Sequence, residues 1–112
     1  NESKEAPHIW AMLASAHDGK DRWYLEALGL AADKQENAFF DAWVKGAKIN
    51  TAASRDIVWR NRGTHGAKYL ADIILDRSTL PAEKPRYLRA LDFIPKGKEK
   101  DDALARIALG AL

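Results

Sequence analysis

Six side chains between residues 55 and 68 could do chemistry together: Arg55, Trp59, Arg60, Arg62, His65 and Lys68. Arginines beside an aromatic ring can clamp a phosphate or carboxylate through their fork of N–H donors, and a flat ligand can stack on the ring. Arg55, Trp59 and Arg62 stand at i, i+4 and i+7, so a helix running through Arg62 would carry all three on one face. The spacing supports two readings. In one, the cluster is a ligand site or a basic surface for a nucleic-acid backbone. In the other, Trp59 belongs to the core, and the arginines lie along the surface and pair with Asp56 or Asp72.

Other candidate chemistry is thinner. His8 and His17 are nine residues apart, too far for the i, i+4 pair of a zinc-binding helix, so both, with His65, read as turn-tip or satisfied surface histidines. Asp18-Gly19-Lys20-Asp21 lacks the alternating acids and closing glutamate of a calcium loop and reads as a turn with a helix cap. Gly63-Thr-His-Gly66-Ala-Lys68 lacks the glycine spacing and the preceding strand of a phosphate loop. None of Ser3, Ser15, Ser54 and Ser78 sits in a nucleophile-elbow setting. The acid pairs Asp101/Asp102 and Glu36/Asp41 sit in helix-starting stretches, where the helix dipole accounts for them. The expectation is therefore no metal, no cofactor, no catalytic residue and no enzymatic activity.

The elements that must carry these residues read as short amphipathic helices. Residues 1–6 are polar and read as frayed, and Pro7 suits a first helical position before Ile9, Trp10, Leu13 and Ala16. Asp21 should cap a second helix ending near Ala32. A third runs from Gln35 to Lys48, and a fourth starts at a Thr51 or Ser54 cap and stops at Gly63. A fifth covers His65 to Arg77, a sixth Glu83 to Phe93 and a seventh Lys100 to Leu112. No two-residue alternation is long enough for a strand. Trp10, Trp23, Trp43 and Trp59 have apolar neighbours at helical spacing and read as core. The end of the seventh helix, Ile107 to Leu112, reads as apolar surface that a further repeat would cover.

At 112 residues, with 46% apolar and 30% charged residues, the chain is one globular domain's worth of sequence. It has no cysteine, which excludes disulfides, thiolate metal sites and c-type haem attachment. No apolar run approaches the roughly eighteen residues of a membrane span, so no membrane insertion is expected. With Asn1 first and no initiator methionine, the chain reads as a piece of something longer. Residues 1–54 carry six Lys/Arg against eight Asp/Glu, whereas residues 55–112 carry twelve against eight. That polarity can steer an acidic partner, but is too mild to mark a nucleic-acid binder.

A near-repeat organises the helices. Trp23-Tyr-Leu-Glu-Ala-Leu-Gly-Leu30 recurs sixty-three residues on as Arg86-Tyr-Leu-Arg-Ala-Leu-Asp-Phe93. With one residue of slippage, Phe40, Trp43, Gly46 and Ala47 then align with Leu104, Ile107, Gly110 and Ala111. A fixed period of this length suits stacked helix pairs, consecutive helices lying antiparallel. An irregular helical bundle is the other architecture the same helices allow.

The stretch from His17 to Asp33, followed by Asn37-Ala-Phe-Phe-Asp-Ala-Trp43 and Asp56-Ile-Val-Trp-Arg60, resembles the HEAT-like region of planctomycete-type, haem-binding multidomain proteins of the membrane-bound dehydrogenase kind. The resemblance covers residues 17–62; beyond them it rests on helical pattern. It implies a helical-repeat segment beside a β-propeller part and a c-type cytochrome domain, and a periplasmic or exported setting. The family's Cys-x-x-Cys-His haem motif is absent here, so no haem residue is carried over.

The expected fold is therefore all-α, a right-handed α-α superhelix of about seven short helices forming one HEAT-like domain over residues 7–112. The expected role is a non-catalytic scaffold for a protein partner or for sister domains. The competing role is a ligand- or nucleic-acid-binding repeat using Arg55 to Lys68.

Overall fold

The computed structural model describes residues 2–111, and among them every regular element is helical. Seven α-helices run in order: α1 (Glu2–Ser15), α2 (Arg22–Ala31), α3 (Glu36–Val44), α4 (Ala52–Arg60), α5 (Ala67–Leu75), α6 (Lys84–Leu91) and α7 (Lys98–Gly110). Single 3-10 turns, Thr64–Gly66 and Pro81–Glu83, lead into α5 and α6. Contacts group the chain into two compact units, residues 1–61 and 62–112. The all-α expectation holds.

Local chemistry explains most boundaries. The Asp21 carboxylate accepts from the Tyr24 amide at 3.0 Å and the Thr51 hydroxyl from the Ser54 amide at 3.0 Å, so both act as N-caps for α2 and α4. The turn before α2 is built by Asp18, whose carboxylate accepts from the amides of Lys20 (2.8 Å) and Asp21 (3.2 Å). Gly19 supplies the positive φ of 82° which that turn needs.

Several expectations about elements change: α3 ends at Val44, short of Lys48, and α7 starts at Lys98, ahead of Lys100. α1 starts at Glu2, upstream of Pro7, so residues 2–6 are helical and Pro7 lies inside the helix; Asn1 lies outside the described residues. α4 ends at Arg60, because Asn61 turns extended (ψ 139°), so Arg62 leaves the helical face on which Arg55 and Trp59 stand. The closest packing is between alternate helices, α1 with α3 and α5 with α7, and less between consecutive ones.

In the first unit Trp10 is the pin. Its indole N–H donates to the Leu28 carbonyl at 2.9 Å, and its ring lies 5.7 Å from Phe39, joining α1 to α2 and α3. Around it Leu25, Leu28, Phe39, Phe40, Trp43, Ile57 and Val58 are buried. α2 also rests on α4, so α1 stacks on α3 and α2 on α4, in two layers. Trp23 corrects the reading of all four tryptophans as core: it is 86% exposed, against 6% for Trp10 and 3% for Trp43.

In the second unit α5 is central. Ala67, Leu70, Ala71, Ile73 and Ile74 are buried against Tyr87, Ala90, Leu91, Ile94 and Ala103. Thr79, buried in the turn after α5, donates its hydroxyl to the Ile73 carbonyl and so satisfies one of that helix's terminal acceptors. A Cβ on Gly110 would collide with Leu75, so glycine lets the end of α7 close onto α5. Leu109, beside it, is exposed.

Candidate functional site

The basic cluster is divided between the units: Arg55, Trp59 and Arg60 belong to the first, and Arg62, His65 and Lys68 to the second. Arg55 is buried and Trp59 half-buried on α4. Arg60 lies across Gly29 and grips Glu26 with two parallel bonds, Nε and Nη2 each 3.0 Å from a carboxylate oxygen. Two bonds of fixed geometry commit that guanidinium to holding α4 against α2. Arg62 stacks its guanidinium 4.2 Å over the exposed Phe93 ring, and the Lys68 ammonium lies 5.1 Å from the ring of Tyr69. His65 is exposed in the 3-10 turn. The expected acidic partners are used elsewhere as well: Asp56 bonds His17, and Asp72 pairs with Arg106 at 2.7 Å.

His17 corrects the reading of the histidines as surface groups. It is buried just beyond α1, stacked on Tyr24 with the rings 7° apart, and its Nε2 lies 3.1 Å from an Asp56 carboxylate oxygen. A carboxylate acceptor places a proton on Nε2. An imidazole held by a carboxylate is also half of a catalytic relay. Its other nitrogen, Nδ1, is buried and has no hydrogen-bond partner. The geometry is that of a tie fastening the turn after α1 to α4. His17 also lines a cleft of about 330 Å³, with Trp43, Lys48, Thr51, Ser54 and Ile57, in which Thr51 is engaged as the α4 cap. Among the described residues no group of three metal-ligating side chains comes together.

Large apolar side chains are left exposed in both units: Leu80, Leu88, Phe93, Leu104 and Leu109 in the second, and two stripes in the first. On α1 and the residue just past its end, Ile9, Met12, Leu13 and Ala16 are exposed at i, i+3, i+4 and i+7. On α2, Trp23, Ala27, Leu30 and Ala31 are exposed at i, i+4, i+7 and i+8. Each stripe adjoins the helix's buried stripe: Trp10 and Ala14 on α1, Leu25 and Leu28 on α2. The helices are bonded side by side, the Tyr24 hydroxyl donating to the Leu13 carbonyl at 2.6 Å. Carried round the two helices at about 100° per residue, both stripes fall on one side of the α1–α2 pair, away from α3 and α4. Glu26, the nearest acid on α2, is drawn off this face by Arg60.

No family model, no curated protein and no solved structure matches the chain. The resemblance of residues 17–62 to a HEAT-like region therefore stands on those residues alone. No helix among the described residues is long and apolar enough to cross a membrane.

Proposed function

We propose that this chain is a non-catalytic, HEAT-like helical-repeat module that holds a protein partner. The observation that carries the reading is the outward apolar face of α1 and α2, with Trp23 86% exposed and Leu30 67% exposed. The largest apolar patch on a folded monomer is commonly about 300–600 Å² and often functional, and larger ones mark association surfaces. The stacking of α1 on α3 and α2 on α4 supports the repeat reading, because a solenoid buries each helix pair between two neighbours. A pair apolar on both sides, as α1–α2 is, suits a position with a neighbour on each. The polar groups that could have done chemistry point the same way, since Arg60 and His17 hold helices together.

The test is cross-linking in the host cell. A benzophenone side chain installed at the exposed Ala27, in the middle of the face, should give protein adducts on irradiation. The same group at the exposed Lys45 should give few. No adduct from position 27, or equal yields from the two positions, would count against the reading.

A further inference from the structure

The occupant of the α1–α2 face follows from its size, its charge and its relief, and it rests on the reading just given. We infer that the face takes a second copy of itself, in a two-fold pairing of two α1–α2 pairs.

Size comes first. A tryptophan buries about 150–250 Å² when covered, and Trp23 is 86% exposed, so it offers most of that. Ile9, Met12, Leu13 and Leu30, each between 49% and 67% exposed, add roughly 50–100 Å² apiece. The sum is ~400–600 Å² of apolar surface per copy. A standard interface buries about 800 Å² per partner, of which roughly 60% is apolar, so about 500 Å² is needed. The face holds what a stable pair uses.

Charge permits a second copy. In a two-fold interface each residue near the axis meets its own image, so a charged face repels itself. Ile9, Met12, Leu13, Ala16, Trp23, Ala27, Leu30 and Ala31 are uncharged and Glu26 is turned to Arg60, while the exposed Glu5, one turn before Ile9 on the same stripe, bounds the apolar face at the start of α1. Relief agrees. Large side chains and the small Ala16, Ala27 and Ala31 share the face, so the Trp23 knob of one copy has shallow alanine ground to settle on in the other. A four-helix arrangement of two such pairs is a familiar way to bury them.

Sedimentation equilibrium of the full chain tests this. The wild type should be mainly dimeric at about 100 μM, and Trp23→Lys and Met12→Lys should each weaken association at least ~30-fold. Both positions are exposed, so helical circular dichroism should stay at the wild-type value. Two results overturn the inference: a wild type that sediments as a monomer at ~0.5 mM, or a dimer that both lysine variants keep at full strength. The outcomes also separate the two claims. A monomeric wild type that still gives adducts to a different protein from Ala27 removes self-pairing and leaves the interaction module. Absence of both removes both.

Discussion

α2 and α6 carry the same Tyr-Leu-x-Ala-Leu string and turn it in different directions. Leu25 is buried on α2, but its counterpart Leu88 is 41% exposed on α6. Ala27 is exposed, yet its counterpart Ala90 is buried. The buried positions of α2 are 25, 28 and 32; those of α6 and the turn after it are 87, 90, 91 and 94. A shift of sixty-two residues, one fewer than the shift that matches the letters, carries 25, 28 and 32 onto 87, 90 and 94 and sets Leu91 opposite the half-buried Gly29. One residue of slip turns a helix by about 100°, enough to carry a leucine from core to surface.

The cause lies in the rest of each helix. On α6 Arg86, Arg89 and, just past its end, Asp92 lie off the buried stripe of Tyr87, Ala90 and Leu91, which limits the sides it can bury, and Lys84 is half-buried beside that stripe. α2 is apolar on two sides, and the string alone does not say which one the fold covers. The unit covers Leu25 and Leu28 and leaves Trp23 and Leu30 outside. The lesson is that a shared string can mark a shared helix order without a shared core. At the level of helices the correspondence does hold: α1 packs on α3 as α5 packs on α7.

Aligned substitutions should therefore behave unequally. Leu25→Ala should cost about 2–5 kcal/mol in urea unfolding, and Leu88→Ala roughly 1 kcal/mol or less, because only the first opens a cavity. Equal losses would restore the letter-by-letter repeat. Enlarging the alanines should invert the pattern. Ala90→Leu overpacks a closed site and should cost about 1–3 kcal/mol, whereas Ala27→Leu should fall within ~0.5 kcal/mol of wild type when both are measured on the dilute, monomeric chain. The helix starts differ too. Asp21→Ala removes a side-chain cap and should cost about 1 kcal/mol, while Glu83, which makes no cap bond at the start of α6, should be replaceable by alanine with little change in melting temperature.

The smallest effect is a titration. Acceptance of the Lys20 amide bond holds the Asp18 carboxyl below its ordinary value of 3.8. Its stabilising contribution is then complete above that value and is lost as the pH falls through the lowered one. An NMR titration should place its midpoint below 3.8. A midpoint at or above that value would mean the turn is open in solution.

Much of the fold was legible because it is local. Asp21 capping α2, Thr51 capping α4 and the turn at Gly19 each depend on residues within four positions of one another. What escaped depends on distance. His17 reads as a surface group until Asp56, thirty-nine residues later, is brought beside it. Arg62 reads as part of the α4 face because nothing in the sequence marks the extended turn at Asn61. Trp23 is the sharpest case. Its spacing is as good for a core as that of Trp10, and only the choice between the two sides of α2 puts it outside.

That choice is open to one direct measurement, fluorine NMR of the full chain labelled with fluorotryptophan, its signals assigned through Trp10→Phe, Trp23→Phe, Trp43→Phe and Trp59→Phe. If the outward face of α1 and α2 meets a second copy, the Trp23 signal should shift as the chain is concentrated, while Trp10 and Trp43 stay fixed in the core. A Trp23 signal that stays at its solvent-exposed position over the whole range, while the chain remains a monomer, would contradict it.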